Sequence, residues 1–155
     1  MIPEFKNLMD DEIELMFKAP LLTAILVAGA DDTIDRTEIK EAVNILTLRP
    51  QKSRRELIDY YSIVAEDVED KLKVLIHEFP SNTSQRSDLI TEDLKKLNSI
   101  FRKLDKNFSI RFYESLKDIA LRVAESSGGV FGFMSVGFEE SRVIDLKMIK
   151  DPSKG

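Results

Sequence analysis

Residues 22–45 read LTAILVAGADDTIDRTEIKEAVNI. The first part is an apolar run of helical character that ends at Gly29, and Ala30-Asp31-Asp32-Thr33-Ile34 interrupts it. Asp35, with Glu38 three residues on, then has the form of a capping box that opens a second helix. The stretch is therefore a helix, an acidic turn and a helix. Four carboxylates, on Asp31, Asp32, Asp35 and Glu38, fall within these few residues, and Ile34 between them is the natural residue to turn inward and pin the turn to a core. No other constellation in the chain has comparable chemical potential.

The bulk properties narrow what such a unit can belong to. A chain of 155 residues suffices for one domain with a real core and is too short for two ordinary ones. With 43% hydrophobic and 33% charged residues it can bury a core and still cover its outside with charge, which argues against disorder. A net charge of -5 leaves no electrostatic footprint for a phosphate backbone or anionic lipid, so nucleic acid is not expected as a partner. The absence of cysteine excludes disulfides, thiolate metal sites and cysteine nucleophiles, and fits a reducing, cytoplasmic setting. The N-terminal MIPEFKNLMDDEIELMF lacks the pattern of a signal peptide, and no run approaches the ~20 apolar residues of a membrane span. Direct membrane insertion is not expected.

Helical periodicity recurs on both sides of the central stretch. Phe5, Leu8, Met9, Ile13, Met16 and Phe17 mark a short amphipathic helix, and Pro20 suits the first turn of the next, which is apolar on nearly every side from Leu21 to Ala28. Ile39, Ala42, Val43 and Leu46 form the inner stripe of the helix after the acidic turn, ending before Pro50. Ser53 with Glu56 resembles a second capping box, opening one long helix that reaches Phe79 with a kink near Ala65. A polar loop at Ser81–Gln85 separates it from a helix carrying Leu89, Ile90, Leu94, Leu97, Phe101 and Leu104. Another carries Phe108, Phe112, Leu116, Ile119, Ala120 and Val123 and stops at Gly128-Gly129. After an irregular stretch to Phe138, a final helix runs through Val143, Ile144, Leu146 and Ile149. The expected architecture is all-α, a single-domain bundle of about six to seven helices over residues 1–150, with 151–155 a flexible tail. Val123-Ala124, Val136 and Glu140 answer Val27-Ala28, Ile34 and Glu38, which reads as a second, degenerate helix–turn–helix unit without the aspartates.

The acidic turn carries half of an EF-hand calcium loop. With Asp31 at the fifth position, Ile34, Asp35 and Glu38 fall on the eighth, ninth and twelfth, but Val27 and Gly29 occupy ligand positions and Asp32 stands where glycine is required. An EF-hand is rejected. A weaker divalent site, for calcium or a similar cation, could use Asp31, Asp32, Asp35 and Glu38, with help from Glu66, Asp67, Glu69 or Asp70 of another helix. Local geometry alone accounts for every one of these residues and is the favoured reading: Asp31 and Asp32 as turn residues, Asp35 as N-cap, and Glu38 completing the box and complementing the helix dipole.

VAGADDTIDRTEIKEAVNIL resembles the helix–acidic turn–helix signature of the TerB-like family, the tellurite-resistance domain that the N-terminal part of certain membrane-anchored DnaJ-type co-chaperones also resembles. The family's alanine-aspartate-glycine turn, apolar residue and glutamate correspond to Ala30-Asp31-Asp32, Ile34 and Glu38, with Asp32 replacing the usual glycine. The resemblance implies a non-catalytic all-α domain of two related halves that binds a divalent cation at acidic positions and acts in a bacterial stress-response assembly. The alternative expectation is a protein-interaction or homodimerisation module in which the turn is structural and the Phe131–Phe138 loop or the N-terminal helix contacts a partner. Metal-assisted hydrolysis is the most distant alternative, since no separate general base is recognisable. His77, the single histidine, has no second histidine or cysteine to share a zinc site and reads as a surface or partly buried structural residue. Gly128-Gly129-Val130-Phe131-Gly132 fits neither glycine-rich phosphate fingerprint.

Overall fold

The computed structural model describes residues 2–29, 34, 36–128 and 145–154. It is all-α, with no strand among the described residues. The helices are α1 (Asp10–Ala28), α2 (Arg36–Thr47), the single turn α3 (Arg49–Lys52), α4 (Ile58–Ala65), α5 (Val68–Glu78), α6 (Thr83–Lys95), the single turn α7 (Leu97–Ile100) and α8 (Lys106–Gly128). Their apolar faces meet in one core cluster.

Helix α1 is the axis of the bundle and packs against α2, α4, α5, α6, α7 and α8. Asp10, Asp11 and Glu12 occupy its first turn, where carboxylates complement the positive end of the helix dipole. Glu12 accepts the Met9 N–H at 2.8 Å and the Lys103 ammonium at 2.9 Å. Every residue from Ala19 to Ala28 is buried, so the all-round apolar character of this segment corresponds to a helix enclosed by others.

The two helices expected on either side of Pro20 are one. A proline inside a helix removes the N–H that the carbonyl four residues earlier requires, at a cost of roughly 3 kcal/mol when nothing compensates. Here that carbonyl belongs to Met16, and the buried Tyr60 hydroxyl donates to it. The next turn is tightened by Thr23, whose hydroxyl donates to the Ala19 carbonyl at 2.8 Å. The tyrosine that makes the repair is itself held by rings on several sides, stacked on Phe17 and edge-on to Phe5, Tyr61, Phe108 and Phe112.

The expected long helix from Ser53 to Phe79 is also corrected. Pro50 falls in the first turn of α3, where its missing N–H costs nothing, and Ser53 ends that helix by donating to the Arg49 carbonyl at 2.5 Å, so it opens no capping box. The kink expected near Ala65 is a full break: Asp67 adopts φ 51° and ψ 33°, the left-handed conformation that cannot propagate a right-handed helix. Beyond it α5 packs against α2 and α1. The loop after Pro80 is shorter than expected, because the Asn82 side chain accepts the Gln85 N–H at 3.0 Å and starts α6 at Thr83. Helix α8 matches expectation, with Phe108, Phe112, Leu116, Ile119, Ala120 and Val123 all buried.

The final helix is not formed in its described part. Residues 145–148 are turns, and Leu146 buries its side chain at φ 48°. Asn98 ties this segment to α7 by donating to the Met148 carbonyl at 2.9 Å and accepting the Lys150 N–H at 2.7 Å. Pro152–Lys154 forms a 3-10 turn over the Asp151 carboxylate, which accepts from Ser153. Val143, Ile144 and the degenerate turn with Val136 and Glu140 lie outside the described residues.

Candidate functional site

The acidic turn is only partly in view. Asp31, Asp32 and Asp35 lie outside the described residues, whereas Ile34 is half-buried against the core, as its place between the acids predicts, and Glu38 is half-buried in the first turn of α2. The other expected contributors are on or just before α5. Glu69 pairs with Lys73 at 2.8 Å, and Lys73 in turn feels the positive charge of Arg36 at the start of α2. Among the described residues no three His, Asp or Glu side chains are grouped to hold a metal. His77 is exposed in the last turn of α5.

One charged residue at this end of the bundle was not legible as such. Arg86 on α6 is only 5% exposed, and its guanidinium donates to the Gly29 carbonyl at 2.9 Å and, more weakly, to Ser81 at 3.4 Å. The C-terminal carbonyls of a helix lack intrahelical donors and carry partial negative charge, so a guanidinium there satisfies both needs of α1. Gly29 permits the approach: a β-carbon in its place would stand 2.5 Å from Arg86 Nη2. A resident cation thus sits where the chain enters Ala30-Asp31-Asp32.

A second polar cluster joins α3, α4 and α8. Arg49, 5% exposed, donates to Asp118 Oδ2 at 2.5 Å and lies over the Tyr61 ring, 5.3 Å from its centroid. Asp118 also accepts from Arg122 at 2.9 Å. Partial burial pushes the Asp118 carboxyl up, but the hydrogen bonds from Arg122 and Arg49 outweigh it and hold the group below its ordinary range. Ser115 donates to the Phe112 carbonyl at 2.6 Å, so in its 2.6 Å contact with Tyr61 the phenol is the donor. Burial pushes the Tyr61 hydroxyl up to about 12. The serine proton is directed into its own helix, and the cluster ties three helices together.

The third feature is a groove of about 530 Å3 between α1 and α5. Phe17 and Leu21 line it from one side and Val74 and Leu75 from the other, with Glu14, Lys18, Asp70, Lys71 and Glu78 around them. On α1 the lining positions 14, 17, 18 and 21, and on α5 the positions 70, 71, 74, 75 and 78, follow the three- and four-residue steps of single helix faces. Leu21 and Leu75 are buried and Phe17 is partly buried, whereas Val74 remains 55% exposed.

Compared with protein-family models, with curated proteins and with solved structures, the chain has no match. The TerB-like resemblance therefore rests on the residues of the acidic turn themselves.

Proposed function

We propose that this chain is a non-catalytic helical module that binds a protein partner in the groove between α1 and α5. The observation that carries the reading is the exposure of Val74 over the apolar floor of Phe17, Leu21 and Leu75. An apolar cleft rimmed by charge is the form that helix-in-groove recognition takes. The test is a methyl-resolved NMR titration with a panel of amphipathic helical peptides. Saturable shifts at Val74, Leu75 and Leu21 that Val74→Asp removes are expected; no saturable shift from any peptide overturns the reading.

A second reading follows the TerB-like resemblance: a divalent cation such as calcium bound by Asp31, Asp32, Asp35 and Glu38, making the module cation-responsive within a stress-response assembly. What favours it is the packing of Ile34 against the core and the position of Glu38 at the start of α2, which anchor a short acid-rich segment between two ordered helices. Calorimetric titration of metal-stripped protein with calcium, magnesium, manganese and zinc, repeated on Asp31→Asn and Asp35→Asn, decides it. Saturable heat weakened by both substitutions is expected on this reading. No heat from any ion leaves the carboxylates as capping and turn residues.

A further inference from the structure

We infer that the occupant of the α1–α5 groove is an amphipathic helix carrying basic residues about two turns apart beside an apolar stripe. This rests on the binding reading above and adds the partner's chemistry. The groove runs along two faces of similar length: Glu14 to Leu21 on α1 and Asp70 to Glu78 on α5, about 10–12 Å at 1.5 Å per residue. That length accepts two turns of a third helix, presenting apolar side chains at i, i+3 or i+4, and i+7 to Phe17, Leu21, Val74 and Leu75.

The charges around the floor are unequal in what already occupies them. On the α1 side Lys18 is paired with Glu14 at 2.9 Å, so that pair is internally neutral. On the α5 side Lys71 directs its ammonium to the Ile63 carbonyl at 3.3 Å, at the end of α4. Asp70 and Glu78 make no ion pair or hydrogen bond among the described residues, Asp70 adding only a longer-range attraction to Lys73 beside the Glu69 contact, and they flank Val74 at four-residue steps on the same face. Two carboxylates without a direct ion pair thus bracket the exposed apolar contact, on a chain whose net charge is already -5. An incoming helix with acids at the corresponding positions would set like charges together; one with lysine or arginine there meets an unpaired carboxylate at each end. Rim charges of this kind select among partners and speed encounter more than they add affinity.

The test uses the full chain and three fluorescein-labelled helical peptides of identical leucine stripe, bearing lysine, glutamine or glutamate at the two flanking positions. The expected order at low salt is lysine, then glutamine, then glutamate, with roughly tenfold between the extremes, compressed at high salt. Asp70→Lys combined with Glu78→Lys should invert the order. Val74→Asp, at an exposed position that leaves the helical circular-dichroism signal intact, should abolish binding of all three. Equal affinity for the three peptides, still lost in Val74→Asp, overturns the inference of a basic partner while leaving the groove as a binding site. No saturable binding by any of them overturns both.

Discussion

The hydroxyl of Tyr60 donates to the carbonyl of Met16, the acceptor that Pro20 leaves without its helical donor. A residue on α4 therefore completes the backbone of α1, and the bundle's central helix is whole only when the two are packed together. Tyr60 is fully buried, and that burial, with Tyr61 beside it, raises its hydroxyl well above the ordinary phenol range.

Tyr60→Phe is expected to leave the Met16 carbonyl buried without a partner and to lower stability by about 1–3 kcal/mol. Pro20→Ala restores an N–H at the right position, so the cost of Tyr60→Phe should shrink in that background. Urea unfolding of the two single variants and the double variant measures the coupling. An unchanged cost in the two backgrounds would show that the hydroxyl serves something other than the proline.

Gly29→Ala should destabilise through Arg86 and not through its own backbone, because φ is -89° at this residue and ordinary for any side chain. The added methyl displaces the guanidinium from the Gly29 carbonyl, and a loss of about 1–2 kcal/mol is expected. In an Arg86→Ala background the same substitution should be close to neutral. Thermal melts of the four proteins distinguish this coupling from a general intolerance of alanine at the end of α1.

Asp118 sets an acid-side dependence. Its carboxyl is held below the ordinary value of 3.8, so its contribution is fully present above that pH and is lost as the pH falls through the lower folded value. Asp118→Asn should remove that part of the slope. Its effect at neutral pH should be modest, because the side chain is 38% exposed and its ion pairs are partly screened. Denaturant midpoints measured from pH 6 down to pH 2 should converge between the two proteins at the acid end.

Asp67→Gly should stabilise the chain or leave it unchanged, gaining up to about 1 kcal/mol, because glycine occupies the left-handed conformation without the steric cost that a side chain carries. The opposite test, Asp67→Val, should lose more than that and loosen the α4–α5 junction, read as faster hydrogen exchange in the first turn of α5.

Periodicity alone determined the all-α class, the enclosed apolar helix ending at Gly29, the inner stripes of α2 and α8 and the inward turn of Ile34, since each depends on side chains a few residues apart on one helix face. The acidic residues of the turn stand close along the chain, which is a property of the sequence alone. The joins were decided elsewhere. Pro20 signals a helix start or a helix interior equally well, and only a hydroxyl 40 residues away on Tyr60 settles it. The box at Ser53 and Glu56 is sound local chemistry overridden by the preceding turn, and the break at Asp67 carries no glycine or proline to mark it. Nothing local marks Arg86 and Arg49 as buried, because their partners, Gly29 and Asp118, lie 57 and 69 residues away. The groove beside Val74 is a space between two helices. Such features arise from how helices are set against one another, and buried polar groups must find their partners there, wherever along the chain those partners lie.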